Sequence, residues 1–488
     1  MPLSDTKALQ GNLLQIFKHT SVYSIASLAQ SAVSFVLLPL YLKFFTPEQY
    51  GIYSLLLMIN SIGSAVFYLG INSALPTSFF ESDDPEERRR VYSTALALTG
   101  CGSIFFIITC FLCGKMLSKH LFGNESEYLR IILIGFTGAC GIIVQVILTL
   151  LRTLQKTKFV AFSSLAGVTV TLASTYLLVS QYQMGIDGPI FSGLAVQILL
   201  LICYMIFTKD WLTGRLDLHQ AKILIKFGAP TILISFGVMT IDWSDRVLIQ
   251  KYMGTSDVGI YSLASRLGTI VTPLLITPLA QVWNPMAFHE KKMGRYASAS
   301  GQIITIYSAI GFMAIVAASL FVEDIFIYIF KANAYASGAK YVPLIMAANF
   351  LNGMNNFVTM GAIFERKLKK MVFNIYFLAA TSLIANFILI KSLGAWGAVI
   401  TVVIVNTLAP ILSYWHAKQF HPIKFEISKI ALISVLSAIT IVIGLSAHWP
   451  SYPWLFITKV FLFVLYCLLL FLIVKNRERN YRLKNIRT

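Results

Sequence analysis

The sequence predicts an all-α, polytopic membrane protein of about 14 transmembrane helices, arranged as two parallel six-helix lobes plus two C-terminal helices. Three observations predict this fold: the apolar composition, the distribution of basic residues among the loops, and a repeated pentapeptide. Of the 488 residues, 57% are hydrophobic and 12% are charged, and the mean hydropathy is +0.73. An ordinary soluble domain has about 25% charged residues, so this chain cannot cover itself with a water-compatible surface.

Apolar stretches of about 20 residues, each long enough to cross a hydrocarbon core about 30 Å thick, recur from Thr20 to Val474. No short apolar region with a small-residue cleavage site opens the chain, so we expect the first span to remain as an uncleaved anchor. Hydropathy predicts spans near residues 20–42, 50–72, 91–113, 128–151, 159–180, 186–207, 223–250, 258–284, 301–323, 341–362, 371–392, 395–416, 427–447 and 454–474.

The basic residues provide an independent test of these spans. In a soluble protein a net charge of +18 suggests nucleic-acid binding, but most of the 39 Lys and Arg residues lie in short loops here. With a cytoplasmic N-terminus, 27 of them fall on the inner side, nine on the outer side and three inside or at the edges of spans. This bias follows the positive-inside rule and predicts that both termini are cytoplasmic. The charge is a topology signal, and we expect no nucleic-acid partner.

The pentapeptide GIYSL occurs at residues 51–55 and again at 259–263, which is 208 residues later. Both copies open a span that returns from an outer loop. A second pair supports the register, since GIDGPI at 185–190 and GAWGAV at 394–399 open spans 6 and 12 at an offset of 209. Six spans separate the copies, so they have the same orientation and imply a parallel repeat. We predict lobes at 1–208 and 209–416, followed by two additional helices and a basic cytoplasmic tail at 417–488.

Three of these features together resemble a known family: twelve spans in two lobes plus two more, the Gly-x-Tyr-Ser-Leu turn after a short outer loop, and the Asp245-Arg246 pair late in span 7. The family is that of the polysaccharide transporters, which includes the Wzx-type lipid-linked oligosaccharide flippases. It belongs to the multidrug/oligosaccharidyl-lipid/polysaccharide flippase superfamily. The resemblance covers nearly the whole chain.

This resemblance implies a flippase of the bacterial inner membrane. Its substrate would be an undecaprenyl-diphosphate-linked oligosaccharide, such as an O-antigen unit of lipopolysaccharide, which passes from the cytoplasmic to the periplasmic leaflet. The implied partners are that lipid, the surrounding membrane lipids, a coupling proton or sodium ion as in an antiporter, and polysaccharide polymerase machinery.

Arg266 is the first candidate for a cavity residue. An arginine near the bilayer centre costs about 2.5–3.5 kcal/mol on insertion scales, so it is expected to face a cavity or a partner. A structural ion pair with Asp242 or Asp245 is the alternative. Pro273 and Pro278 are expected to bend this span. Arg266 shares a polar stripe of span 8 with Ser262, Thr269, Pro273, Thr277 and Asn284.

Span 7 carries a second candidate cluster, formed by Asp242, Asp245 and Arg246. Asp242 and Arg246 are four residues apart and can pair on one face of a helix. A pair of this kind can simply neutralise itself near the outer interface. Alternatively, Arg246 lines a cationic cavity that suits a diphosphate or an acidic sugar, and the two carboxylates bind the coupling ion.

Several polar residues within the spans are further candidates, each with a structural alternative. The asparagines of span 10 can bond sugar hydroxyls or hold helices together. Polar residues of spans 1 and 2 are expected to form the matching wall of the first lobe. Lys226 can meet lipid phosphates or extend to the lipid headgroups. The asparagines are Asn349, Asn352 and Asn356, and the first-lobe residues are Gln30, Ser34, Asn60 and Ser64.

Two other functions share this architecture or its polytopic character. A multidrug or cation exporter has the same fold, but span 1 lacks the carboxylate that often binds cations in that branch of the superfamily. A membrane glycan polymerase is the enzyme alternative, yet the outer loops are short and poor in His and paired carboxylates. We find no nucleophile–base motif, phosphate-binding glycine loop or metal-ligand spacing, so we expect neither enzyme activity nor a cofactor.

Overall fold

The computed structural model describes residues 33, 35–365, 369–446 and 452–485. Within these residues the chain forms helices and turns and no β-strand. Twelve helical stretches are long and apolar enough to cross a membrane. They coincide with twelve of the predicted spans, which confirms an all-α, multi-pass membrane protein. Predicted span 1, at 20–42, lies largely outside the described residues.

Contacts between Cα atoms divide the chain into two compact units, Met1–Gly259 and Ile260–Thr488. The boundary falls inside the second GIYSL copy. The helix of predicted span 7, Leu218–Met253, packs in the first unit against the helices of predicted spans 2 and 3. The lobes at 1–208 and 209–416 rest on the sequence repeat and stay a prediction, since contacts report packing and not duplication.

The first unit is built around one central helix, α5, which packs against α2, α4 and α7. Its core contains the fully buried side chains of Tyr92, Ile147 and Leu151. In the described part of this unit the helices are α1 (Leu38–Phe44), α2 (Pro47–Phe67), α3 (Ile71–Phe79), α4 (Pro85–Phe122), α5 (Tyr128–Thr153), α6 (Thr157–Tyr176), α7 (Asp187–Phe207), α8 (Leu218–Met253) and the first turn of α9 (Thr255–Gly268).

Local sequence signals explain where several of these helices begin and end. α2 starts at a capping box in which Thr46 and Gln49 exchange hydrogen bonds of 3.0 and 3.2 Å. Pro47 follows at the first helical position, where the missing N–H costs nothing. The end of α2 is set by Leu69 and Gly70, whose φ angles are positive. Gly70 lies so close to Gly228 of α8 that a Cβ there would overlap its carbonyl oxygen.

The second unit contains two packing groups. α16 packs against α12 and α15, while α17 and α18 pack against α11. Lys459 of α18 forms a buried ion pair of 2.7 Å with Asp324 at the end of α11. After α9, the described helices are α10 (Thr277–Lys292), α11 (Tyr296–Asp324), α12 (Val342–Gly353), α13 (Asn355–Val358), α14 (Met360–Phe364), α15 (Lys369–Leu393), α16 (Ala395–Ala417), α17 (Ile427–Ser446) and α18 (Tyr452–Asn485).

Predicted span 10, at 341–362, is divided into three short helices, α12, α13 and α14. Polar side chains compete for the backbone where the helix breaks. The Asn356 amide donates to the Gly353 carbonyl at 3.1 Å, and the Thr359 hydroxyl donates to the Asn355 carbonyl at 2.6 Å. Gly353 itself packs on Tyr307 so closely that a Cβ would overlap the phenol oxygen.

The predicted distortion of span 8 is confirmed. α9 ends at Gly268, a π-helical turn covers Thr272–Ile276, and α10 begins at Thr277. Pro273 has no N–H to donate, so the chain cannot continue a regular α-helical hydrogen-bond ladder through this region. The span that carries Arg266 is therefore interrupted immediately after that residue.

The repeated pentapeptide has a structural counterpart within the first unit. Gly51 of the first copy lies against Thr255, and Gly259 of the second copy lies against Pro47. A Cβ on either glycine would overlap the carbonyl oxygen that it faces. Thr255 stands 208 residues after Pro47, so each copy touches the other through equivalent positions. The two helix starts thus form a reciprocal glycine contact, in which only glycine permits the observed backbone approach.

The second repeated motif, GIDGPI in the first unit and GAWGAV in the second, has a cation beside its third residue in both units. In the first unit, Arg130 at the start of α5 binds Asp187 at the start of α7 at 2.6 Å, and also Glu127 at 2.8 Å. In the second unit, Trp396 stands 209 residues after Asp187, and the ammonium group of Lys340 lies 5.7 Å from its ring centroid. A cation therefore contacts the motif residue in both units, as an ion pair in one and as a cation–π contact in the other.

Candidate functional site

A cavity of about 700 Å³ lies inside the first unit, between α2, α3, α5, α6 and α7. Its volume is in the range of about 300–1,000 Å³ that is typical of small-molecule sites. Three helices contribute most of its polar wall. The polar residues that line it are Asn60, Ser64, Tyr68 and Asn72, then Thr137, Gln145, Thr149 and Arg152, and finally Ser164, Thr171, Gln197 and Tyr204.

The α2 wall consists of Asn60, Ser64 and Tyr68, the residue that directly follows the helix, and their four-residue spacing places them on one face. The Ser64 hydroxyl donates to the Asn60 amide oxygen at 3.4 Å. The Tyr68 hydroxyl lies 3.3 Å from the Thr149 hydroxyl of α5 and joins the two walls. These bonds orient the α2 side chains along the cavity.

The α5 wall combines glycines with polar residues at helical spacing. Gly138 and Gly141 lie at one end of it, and Gln145, Thr149 and Arg152 follow toward the C-terminus of the helix. A Cβ on Gly138 would overlap the Asn60 amide oxygen, so this glycine lets α2 and α5 approach closely. Because Gly138 and Gly141 have no side chains, the α5 wall takes up little space at this end of the cavity, which is the end distant from Arg152.

Gln197 of α7 is the polar side chain of this cavity with an unmet requirement. Its amide oxygen is buried and accepts no hydrogen bond from any described residue. Leaving a buried acceptor unpaired costs about 1–3 kcal/mol, so such a group calls for a ligand or a water molecule.

The charge of the cavity is as informative as its polarity. Arg152 is the charged member of the described lining, and no carboxylate is among these residues. Amides and hydroxyls supply the remaining polar groups. Such a wall can bond hydroxyl-rich ligands and can pair with an anion such as phosphate, but it offers no counter-charge to an organic cation.

The prediction of a first-lobe wall can be followed for half of its members. Asn60 and Ser64 line the cavity, whereas Gln30 and Ser34 lie outside the described residues. Gln145 and Gln197 were not among the residues predicted from the sequence, and Arg152 was counted only among the 27 basic residues of the inner side. A polar glutamine inside each of two apolar spans was the available signal.

The cluster on α8 differs from the predicted geometry. Arg246 binds the Asp245 carboxylate at 3.0 Å and donates to the backbone carbonyl of Asp242 at 2.6 Å. Its guanidinium also stacks over Trp243, with 4.8 Å to the ring centroid. Helical side chains lean toward the N-terminus, which brings Arg246 onto the preceding turn. Asp245 is 3% exposed, whereas Asp242 is exposed and its carboxylate forms no ion pair with a described residue.

Arg266 is half-buried in α9. Among the described residues of its unit, no carboxylate pairs with its guanidinium, and Thr269 donates to its backbone carbonyl at 2.8 Å. Gly268 packs on Ile345 and Met346 of α12, close to the start of the interruption in this span. The predicted role of Arg266 in lining a cavity stays a prediction.

The three asparagines of predicted span 10 do not lie on one continuous helix. Asn349 is in α12, where its amide donates to the Ile345 carbonyl at 2.8 Å. Asn352 is exposed near the end of α12, and Asn356 is exposed in α13, where its amide donates to its own backbone turn. The Asn349 amide therefore bonds within its own helix, and the Asn356 amide bonds to the end of the preceding helix, α12.

Lys226 is exposed on α8 and forms no hydrogen bond or ion pair with a described residue. Gly228, two residues later, packs against the backbone of Leu69. The lysine thus projects from a firmly packed part of α8, and its predicted contact with lipid phosphates stays a prediction.

A small ionic cluster lies at the predicted cytoplasmic end of the second unit. Glu365 accepts from His421 at 3.0 Å and from Lys291 at 3.3 Å. These hydrogen bonds hold the pKa of Glu365 below its ordinary value. The cluster links α10, the end of α14 and the connection between α16 and α17.

A family model described as "Polysaccharide biosynthesis protein" matches residues 42–337. Among solved structures, a lipid II flippase MurJ in an inward closed conformation is similar, with a TM-score of 0.75 and 13% identity over 92% of this chain and 97% of that chain. An inward-facing multidrug resistance MATE family transporter of the MOP superfamily gives a TM-score of 0.66 and 14% identity, over 80% of this chain and 94% of that chain.

A MOP superfamily transporter from Pyrococcus furiosus is also similar, with a TM-score of 0.60 and 15% identity over 82% of this chain and 95% of that chain. No curated protein sequence shows significant similarity to the chain. At these identities the solved structures establish a shared fold and no shared substrate.

Proposed function

Since the chain belongs to the polysaccharide biosynthesis protein family, we propose that it flips an undecaprenyl-diphosphate-linked oligosaccharide, such as an O-antigen repeat unit. It moves this lipid from the cytoplasmic to the periplasmic leaflet of a bacterial inner membrane, with both termini in the cytoplasm. The fold shared with a lipid II flippase supports the proposal that the substrate is a lipid-linked molecule. Its partners are the substrate, membrane lipids and the polymerase machinery that uses the product.

One observation carries the proposal: the cavity of the first unit is lined by amides, hydroxyls and one arginine, without a carboxylate in its described wall. Sugar hydroxyls both donate and accept hydrogen bonds, as these side chains do. Arg152 supplies the positive charge that a diphosphate requires, and a guanidinium can bind two phosphate oxygens at once. The cavity therefore suits a glycan attached to a diphosphate.

In this mechanism the substrate enters a cavity that is open to one side of the membrane and leaves when the cavity opens to the other. Parallel repeats are a common basis for such alternating access. Prolines and the π-helical turn in span 8 give that span places at which it can bend without losing further backbone hydrogen bonds.

Two alternatives predict different behaviour. An exporter of organic cations shares this fold, but it would need an anionic group in its cavity to replace the hydration of the cation. A glycan polymerase would join sugar units and would need an acid–base pair close to them. The described wall of the first-unit cavity contains neither an anionic group nor an acid–base pair of carboxylates.

The test is to delete the gene and determine the leaflet on which lipid-linked oligosaccharide accumulates, using a membrane-impermeant glycan-modifying enzyme. Flippase function predicts accumulation facing the cytoplasm, with restoration by the intact gene. Unpolymerised units at the periplasmic face would instead indicate a polymerase. Resistance to toxic organic cations on expression, without any glycan defect, would indicate an exporter.

Asp242 is the best placed residue for binding a coupling ion. The Asp245 carboxylate is buried against Arg246, so its charge is already compensated. Asp242 is an exposed residue and its carboxylate forms no ion pair with a described residue, although Arg246 contacts its backbone. We therefore propose that Asp242 binds the proton or sodium ion and that Asp245 anchors the arginine beside it.

Replacing Asp242 with Asn is expected to reduce the dependence of lipid transport on an imposed ion gradient by about tenfold or more, because the amide cannot carry the charge that binds the ion. Transport is measured in vesicles with proton or sodium gradients of graded size. Asp245→Asn serves as the comparison. Because Asp245 pairs with Arg246, this variant is expected mainly to lower protein stability. An Asp242→Asn variant that keeps the full gradient dependence would contradict the assignment.

A further inference from the structure

We propose that Gln197, together with the thin α5 wall at Gly138 and Gly141, forms a subsite that recognises an uncharged sugar distant from the diphosphate. The inference rests on the proposed function and deepens it, because it assigns the two chemical parts of the substrate to opposite ends of one cavity.

The amide oxygen of Gln197 has an unused capacity to accept a hydrogen bond from a ligand. Gln197 lines the cavity, and its buried oxygen accepts no hydrogen bond from a described residue. An oxygen in this state gains most from a ligand that brings an O–H or N–H donor, since the donor removes the penalty of an unpaired acceptor. Sugar hydroxyls and acetamido groups are such donors.

The space beside the Gln197 amide is left open by Gly141 of α5. A Cβ on Gly141 would lie 3.7 Å from the Gln197 amide nitrogen, which is ordinary van der Waals distance. The glycine therefore leaves a gap the size of one methyl group between α5 and α7. Larger residues there would fill the gap and cover the amide.

The cavity is cationic at one end of α5 and neutral at the other. Arg152 stands eleven positions after Gly141 on α5, which corresponds to about 16 Å along a helix at 1.5 Å per residue. The neutral end contains Asn60, Thr137 and Gln197, and the cationic end contains Arg152. This distance exceeds one sugar ring, so a diphosphate at Arg152 leaves the Gln197 end to a sugar further along the glycan.

The test uses the full-length protein in lipid nanodiscs and three probes. They are farnesyl diphosphate, the same lipid carrying one N-acetylglucosamine, and the same lipid carrying three linked N-acetylglucosamine residues. Dissociation constants are measured by titration for the wild type, Gln197→Leu, Gly141→Ala and Gln220→Leu. Gln220 is a matched control, because its buried amide oxygen is also unpaired among the described residues but it does not line the cavity.

The wild type is expected to bind the three-sugar lipid most tightly. Gln197→Leu should weaken that binding about fivefold while leaving the one-sugar lipid unchanged, which is the loss expected for one neutral hydrogen bond. Gly141→Ala should fold normally, because its new methyl group overlaps no atom. It should also weaken binding of the three-sugar lipid, because the methyl group fills the gap beside the Gln197 amide. Gln220→Leu should bind all three lipids like the wild type.

Equal binding of the one-sugar and three-sugar lipids by the wild type would overturn the subsite. So would a Gln197→Leu variant that keeps the preference, or an equal loss in Gln220→Leu. Each of these results leaves the proposed function intact. If the wild type binds none of the three lipids, the proposed function itself fails, and the subsite fails with it.

Discussion

Replacing Arg130 with methionine is expected to lower the free energy of unfolding by about 3–5 kcal/mol. Arg130 binds both Glu127 and Asp187 at the starts of α5 and α7, and Glu127 is only 4% exposed. Removing the guanidinium leaves a buried carboxylate without its counter-charge, which costs more than the pair itself contributes. Unfolding by denaturant in mixed micelles, followed by tryptophan fluorescence, measures the change.

The matched control is Arg90→Met. Arg90 pairs with Glu86 at 3.7 Å on the surface of α4, where both side chains are exposed. Such surface pairs contribute about 0–1 kcal/mol, so this variant should remain close to the wild type. Equal losses in the two variants would mean that burial of Glu127 has no special role. The double variant Arg130→Met with Glu127→Gln should recover part of the loss, because it removes the uncompensated charge.

Gly51→Ala and Gly259→Ala are expected to destabilise the protein by about 1–3 kcal/mol each and to slow lipid transport. In each case the new methyl group overlaps a backbone carbonyl oxygen, of Thr255 or Pro47 respectively. Backbone cannot rotate away as a flexible side chain can, so the two helix starts must separate. Because both substitutions open the same contact, the double variant should lose less than the sum of the single losses.

Gly100→Ala is the control for this prediction. Gly100 is also a helical glycine, but a Cβ there meets no atom within 4 Å. Alanine is favoured over glycine in a helix by about 1 kcal/mol, so this variant should be neutral or more stable. Thermal unfolding of all three purified variants decides the matter. If Gly51→Ala is as stable and active as Gly100→Ala, the reciprocal glycine contact has no functional weight.

The sequence predicted the positions of the spans well, because hydrocarbon thickness and the cost of charge inside a membrane leave few alternatives. The break in span 8 was predictable for a similar reason, since Pro273 removes a backbone donor. The break in span 10 was not, because it depends on side chains of Asn356 and Thr359 that bond to their own backbone. Hydropathy does not register such competition.

The candidate site was only partly predictable. Asn60 and Ser64 were found because polar residues at helical spacing stand out in an apolar span. Arg152 was missed, since a basic residue at the end of a span serves topology equally well. The role of Gln197 depends on the lack of a hydrogen-bond partner among the described residues and on the glycine opposite, and both are properties of packing.

The reciprocal glycine contact also bears on the predicted duplication. When position 47 of one copy meets position 259 and position 51 meets position 255, each copy presents the same surface to the other. Identical surfaces that pair in this way are the hallmark of a homodimer with two-fold symmetry. A half-length ancestor with this motif would have bound a second molecule of itself through the same glycine. Fusion of two such copies would turn an encounter between two molecules into a fixed junction within one chain.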